Sequence, residues 1–202
     1  MSKFWPFSTP GIPDDIFIRD QVPMTKEEVR VLTLAKTRLA PGQVVWDIGS
    51  GTGSLSIEAA LLTPGGTVYA IEKNTLGIGL CRENANKIGV DNIIFIQGEA
   101  PGVLEKLPDP DRVIIGGSGG CLSQVLQVAM SRLKSKGRLV INAVTMETLT
   151  LCTAALTGKN CDIIQVNISR AVPYGNYRMW RALNPVYIIT YQETGVRSQE
   201  SE

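Results

Sequence analysis

The chain has 202 residues, 44% hydrophobic and 19% charged, which suits one compact domain and excludes a disordered polypeptide. Lys and Arg number 20 against 19 Asp and Glu, so there is no broad positive field to hold nucleic acid non-specifically. No apolar run approaches the roughly 18 residues of a membrane span, and the start, Met1-Ser2-Lys3-Phe4-Trp5-Pro6, lacks the apolar region of a signal peptide, so neither membrane nor nucleic-acid partners are expected and the location is expected to be cytoplasmic.

Residues 1–24, with Pro6, Pro10, Pro13 and Pro23 among Phe4, Trp5, Phe7 and Phe17, read as an irregular arm. The domain proper is expected over 25–191. Thr25-Lys26-Glu27-Glu28 reads as a capping box, with the Thr25 hydroxyl capping a helix and Glu28 reaching back. Val29, Leu32, Ala35, Lys36 and Leu39 follow at near-helical spacing, and Pro41-Gly42 ends the helix. From Val44 strands and helices alternate, the pattern of a parallel α/β sheet. Strands are expected at Val44–Asp47, Thr67–Ile71 leading into Glu72, Ile93–Ile96, Val113–Ile115, Arg138–Ala143, Ile163–Ile168 and Val186–Tyr191. Helices are expected at Ser54–Leu62, Leu76–Ile88, Leu122–Leu133 and Met146–Leu156. The polar stretch 192–202 reads as a disordered tail.

Asp47-Ile48-Gly49-Ser50-Gly51-Thr52-Gly53 stands between the first strand and its helix. A strand, a glycine turn and a helix in that order let backbone approach a ligand at a helix N-terminus, where free N–H groups favour an anion or carboxylate. The spacing does not fit the dinucleotide fingerprint G-x-G-x-x-G/A, because Ser54 or Ser56 stands at its third glycine. The D-x-G-x-G-x-G form resembles the first motif of S-adenosylmethionine (SAM) methyltransferases. Glu72 ends the next strand about 20 residues on, where a carboxylate can accept both ribose hydroxyls of an adenosine. Gln97-Gly98-Glu99-Ala100-Pro101 follows the third strand, where that superfamily borders the adenine ring.

Gly116-Gly117-Ser118-Gly119-Gly120 follows the fourth strand, and in open α/β sheets ligands bind beyond the carboxyl ends of the strands. Many nucleic-acid amino methyltransferases carry N/D-P-P-Y/F there, and this chain does not. Asn184-Pro185 looks similar but precedes the final strand, the wrong place for that motif. Between the last two strands, Arg170-Ala171-Val172-Pro173-Tyr174-Gly175-Asn176-Tyr177-Arg178-Met179-Trp180-Arg181 mixes arginines with aromatics. Arginine binds carboxylates bidentately and aromatics stack on flat ligands. The stretch suits a planar polycarboxylate, RNA or an oligomer interface. The chain has no histidine, and its four cysteines, Cys81, Cys121, Cys152 and Cys161, form no C-x-x-C pair. No metal site is expected, and proton transfer falls to Asp, Glu, Tyr, Lys, water or the substrate.

Pro10-Gly11-Ile12-Pro13-Asp14, Val22-Pro23-Met24-Thr25-Lys26-Glu27-Glu28-Val29-Arg30, the glycine turn, Gly98-Glu99-Ala100-Pro101 and Gly116–Gly120 occur in one order. Together they resemble the CbiT family, the decarboxylating cobalt-precorrin-6B methyltransferases of cobalamin biosynthesis, from about residue 10 to 191. The resemblance implies a Rossmann-like class I methyltransferase fold, a mostly parallel seven-stranded sheet with helices on both faces. It implies SAM as cofactor, a tetrapyrrole substrate and a homotetramer. The implied reaction is methylation of carbon 15 with loss of carbon dioxide from the ring-C acetate. Thr25, Gly49, Ser50, Gly51, Thr52, Gly53, Glu72 and Ala100 map onto cofactor-contacting positions, with Asp47 and Glu99 as supports. Gly117, Ser118, Arg170 and Arg178 are expected on the tetrapyrrole side, and no catalytic acid is assigned. The competing expectations are an RNA or protein methyltransferase of the same fold, and a SAM-binding module without catalysis.

Overall fold

The computed structural model describes residues 4–194. Its strands are β1 (Val44–Ile48), β2 (Thr67–Glu72), β3 (Ile93–Gln97), β4 (Arg112–Ile115), β5 (Arg138–Ala143), β6 (Cys161–Val166), β7 (Ser169–Tyr174), β8 (Tyr177–Ala182) and β9 (Val186–Gln192). Seven form one sheet in the order β3-β2-β1-β4-β5-β9-β6, and β7 pairs with β8 apart from it. β1 to β5 are mutually parallel, and β9 runs antiparallel between β5 and β6. The helices are α1 (Glu27–Thr37), α2 (Ser54–Leu62), α3 (Thr75–Ile88), α4 (Leu122–Arg132) and α5 (Met146–Ala155). The expected Rossmann-like sheet is therefore present.

Both sheet faces are covered, which explains the continuous apolar runs of the central strands. Alternation divides them between two cores. Trp46, Ile48, Val113, Ile115, Leu139 and Ile141 pack with Leu122, Val125, Leu126 and Ala129 of α4 and Cys152 of α5. Val45, Val68, Ala70 and Ile114 pack on the other side with α2, and with Cys81, Ala85 and Ile88 of α3. α3 is bounded by local chemistry at both ends. The Asn74 side chain accepts from the Leu76 and Gly77 amides, and Gly89 closes the helix in the left-handed region.

The expected capping box does not form. α1 begins one residue past Lys26 with no side-chain cap, and the Glu27 amide donates instead to Asp14 Oδ1 at 2.9 Å. Glu28 is drawn away by Arg170, whose Nε donates to Glu28 Oε1 at 2.8 Å. Carboxylates distant in sequence thus displace a local cap, because charge-assisted bonds are stronger than a hydroxyl cap. The arm is fixed to the body: Ile12 and Phe17 are buried in the α2–α3 core, and Asn84 accepts from the Ile18 amide at 2.8 Å and donates to its carbonyl at 2.8 Å.

Three sequence expectations shift at the C-terminal end. The arginine–aromatic stretch is the β7–β8 hairpin rather than a loop. β6 ends at Val166 so that the hairpin can start at Ser169. Gln192 belongs to β9, and its Oε1 accepts from Arg138 at 2.7 Å. Residues 195–202, the remainder of the expected disordered tail, lie outside the described residues. Among the described residues no helix is long and apolar enough to cross a membrane.

Candidate functional site

A cavity of about 1030 Å³ opens at the carboxyl ends of the parallel strands. Ligand pockets commonly measure about 300–1,000 Å³, so there is room for a cofactor and part of a second molecule. Of the residues expected from sequence, Thr25, Gly49, Ser50, Gly51, Thr52, Glu72, Glu99, Ala100, Gly117 and Ser118 line it. Asp47, Gly53, Arg170 and Arg178 do not.

The β1 turn and the β4 loop are pressed together. Gly49 has φ +75°, and a Cβ there would run into the Gly117 carbonyl and stand 2.7 Å from its amide nitrogen. Only glycine fits that close approach. Behind the turn, the Glu72 carboxylate accepts from the Gly51 amide and from the Asn74 amide, each at 2.9 Å. One side chain therefore ties the glycine turn to the start of α3. A carboxylate has about four acceptor positions, so Glu72 retains capacity to accept from a ligand. Gly77 packs beside it, and a Cβ on Gly77 would sit 3.0 Å from Glu72 Cγ. At the β3 end, Glu99 accepts from Lys73 Nζ at 3.1 Å, and this pair abuts Gly119.

Gly53 has a different role from the expected one. It precedes α2 at φ +79°, and a Cβ would collide with Cys81 of α3. It is glycine so that two helices can meet, not so that a ligand can approach. Asp47 lies under the turn, fully buried, where its Oδ2 accepts from Ser56 Oγ at 2.5 Å. Burial pushes its carboxyl up to about 6, against the pull of the Ser56 hydroxyl. The folded chain then holds the proton more tightly than the unfolded chain, whose value is near the ordinary 3.8. The contribution to stability is full below about pH 4 and is lost as pH rises to about 6. Urea unfolding across that range, compared with Asp47→Asn, should show wild type losing stability relative to the variant as pH rises. Parallel pH profiles would contradict this placement of Asp47.

Arg170 is held at the side of the site rather than in it. Its Nη2 donates to Glu28 Oε2 at 2.5 Å and to Asp14 Oδ2 at 3.1 Å, and these bonds raise its pKa above the ordinary arginine value. Two carboxylates already take three hydrogen bonds from this guanidinium, and Arg170 is not on the cavity wall where a clamp is expected. Arg178 lies on the exposed β8 strand, away from the cavity wall. The arginine that does line the cavity is Arg181.

Sequence reasoning also missed Asn142, Val144 and Ile168, and it set Asn184 aside. Asn184 reaches the cavity because the chain returns from β8 to β9 along the strand ends. Position after an apolar run signals Asn142 and Val144, which stand at and just beyond the end of β5. Arg181 closes the arginine–aromatic stretch, but nothing local distinguishes it from Arg170 and Arg178. Five residues with ionisable side chains line the cavity: Lys26, Glu72, Lys73, Glu99 and Arg181.

The chain is similar to known proteins over most of its length. Residues 15–193 match the family model described as a precorrin methyltransferase domain. A protein of Pyrobaculum calidifontis named probable cobalt-precorrin-6B C(15)-methyltransferase (decarboxylating) is 44% identical over 191 residues, covering 92% of this chain and 97% of that one. The cobalt-precorrin-6B C(15)-methyltransferase (decarboxylating) of Salmonella typhimurium is 39% identical over 184 residues, covering 89% and 95%. The crystal structure of precorrin-6y C5,15-methyltransferase from Geobacter metallireducens superposes with a TM-score of 0.87 at 43% identity, covering 91% of this chain and 98% of that one.

Proposed function

The chain belongs to the precorrin methyltransferase family, and from that membership we propose that it methylates carbon 15 of precorrin-6B or its cobalt form and decarboxylates the ring-C acetate. The observation that carries this reading is one large cavity whose wall divides into two halves. The β1–β3 side presents Gly49 to Thr52, Glu72, Glu99 and Ala100; the β4–β9 side presents Gly117, Ser118, Asn142, Val144 and Arg181.

The first half fits SAM. The amides of Gly49, Ser50, Gly51 and Gly53 are taken up within the protein, so the turn supplies the space, and Ser54 and Leu55 at the N-terminal end of α2 line the cavity for the amino-acid part. Glu72, already oriented by two amides, is placed to accept ribose hydroxyls. Glu99 and Ala100 border the adenine. Thr25 closes the site from the arm side. When bound, SAM would supply a methyl group on a sulfonium sulfur; an electron-rich ring carbon takes the methyl as its bond to sulfur breaks, and the rest of the cofactor departs as a neutral thioether, so no strong base is needed. A chain without histidine is compatible with that chemistry. The protein's part is to align the reacting carbon with the methyl group and exclude water. The β4 loop does this with backbone, because Gly117 and Ser118 leave a flat macrocycle room beside the cofactor half.

We also propose a homotetramer and a cytoplasmic location. The exposed aromatics of the β7–β8 hairpin, Tyr174 at 68%, Tyr177 at 78% and Trp180 at 77%, support an assembly contact. The test of function is incubation with SAM and precorrin-6B, with and without cobalt, alongside transfer RNA. The expected product has gained one methyl group and lost one carbon dioxide. Methylated RNA with unchanged precorrin would reverse the reading.

A further inference from the structure

Three cations line the cavity, and two of them have a counter-charge. Lys73 is paired with Glu99 at 3.1 Å, and Lys26 stands 3.9 Å from Asp14. Arg181 has no ion pair among the described residues. Its neighbour makes the contrast sharp. Arg170 and Arg181 face each other in the β7–β8 register, and directly opposed residues of an antiparallel pair project from the same face. The two arginines therefore project from one face of the hairpin. Asp14 and Glu28 neutralise Arg170 and anchor the base of the hairpin to α1 and the arm. That anchoring holds the hairpin with Arg181 on the cavity wall, a charged residue exposed there without a protein counter-charge among the described residues.

We propose that Arg181 binds a carboxylate side chain of the tetrapyrrole, and that the Arg170–Glu28–Asp14 cluster positions it to do so. This rests on the functional reading above and deepens it. The anion is assigned to the substrate rather than to SAM by place. Arg181, Ala182, Leu183, Asn184 and Ile168 close the side of the cavity beyond β5, β9 and β6, whereas the glycine turn and Glu72 lie toward β1, β2 and β3. A guanidinium presents a planar fork that takes a carboxylate with two parallel hydrogen bonds. Such a contact fixes the rotation of the macrocycle in its plane and so selects which ring carbon meets the methyl group.

Arg181 is exposed, so its variants should fold, and the test compares wild type with Arg181→Ala, Arg181→Lys and Arg178→Ala. The KM for precorrin-6B should rise about tenfold or more in Arg181→Ala, a fold-change typical of losing one charge-assisted hydrogen bond. Lysine should restore part of it, and Arg178→Ala should match wild type. SAM affinity by calorimetry and mass by sedimentation should not change. The wild-type KM should also climb with salt more steeply than that of Arg181→Ala, because the lost contact is ionic. A second readout needs no turnover: quenching of tryptophan fluorescence by uroporphyrin should weaken in Arg181→Ala, and its octamethyl ester should bind wild type and variant alike. Unchanged KM and unchanged uroporphyrin binding would overturn the proposal. So would an equal loss of SAM affinity, which would assign the anion to the cofactor, or dissociation of the assembly, which would make Arg181 an interface residue. Failure of wild type to turn over any corrin precursor would count against the function, while the uroporphyrin arm would still decide the role of Arg181.

Discussion

Replacing Arg30 with alanine is expected to cost about 3–5 kcal/mol of stability in urea unfolding. Arg30 is fully buried in α1. Its Nε donates to Glu58 Oε1 at 2.6 Å, and its Nη1 donates to Asp14 Oδ1 at 3.0 Å and to the Thr25 carbonyl at 2.5 Å. Its Nη2 donates to the Ile12 carbonyl. Burial pushes the Glu58 carboxyl up, and the Arg30 charge pulls it back. Removing Arg30 therefore leaves the Glu58 carboxylate without its counter-charge in a site 1% exposed and frees the Ile12 and Thr25 carbonyls. The loss is a large fraction of the roughly 5–15 kcal/mol that a domain commonly has. Because Arg30 holds Thr25, which lines the cavity, SAM affinity should fall as well. The double variant Arg30→Met with Glu58→Gln should lose much less than the sum of the single changes. A loss below about 1 kcal/mol in Arg30→Ala, on the scale of an exposed pair, would mean that the cluster is solvated.

Glu72→Ala is expected to weaken SAM by roughly 1.5–3 kcal/mol, about 10- to 150-fold in Kd. Two causes combine. The ribose loses a charged acceptor, and the Gly51 and Asn74 amides lose the carboxylate that ties the turn to α3. Glu72→Gln separates them. An amide oxygen can still accept from one of those amides, but without the charge, so its affinity should fall between wild type and alanine. Calorimetric titration reads all three, and NAD should bind none of them, since the dinucleotide spacing is lacking. Equal SAM affinity in wild type and Glu72→Ala would mean that the ribose lies elsewhere.

The central fold was legible because its signals are local. The apolar run Val44–Trp46, the glycines after it and the Ser54–Leu62 pattern lie within one short stretch, and the structure places β1 and α2 there. Glu72 and the β3 and β4 turns reach the cavity because every parallel strand delivers its carboxyl end to the same edge. Two of the misreadings share one cause, which is long-range charge. Asp14 and Glu58 lie 16 and 28 residues from Arg30, and Glu28 lies 142 residues from Arg170. No local window shows such partners. That is why Thr25-Lys26-Glu27-Glu28 looked like a capping box, and why Arg170 looked free to clamp a substrate. The hairpin was missed for another reason. β8 is exposed along its whole length, so it lacks the apolar alternation by which half-buried strands are recognised.

The most direct test of the account follows both halves of the reaction at once. The protein is incubated with precorrin-6B, or its cobalt form, and SAM labelled with ¹³C in the methyl group. One labelled methyl is expected on carbon 15 by NMR, with one carbon dioxide released from the ring-C acetate for each methyl transferred. Label on any other acceptor, or a product that keeps all its carboxyl groups, would contradict it.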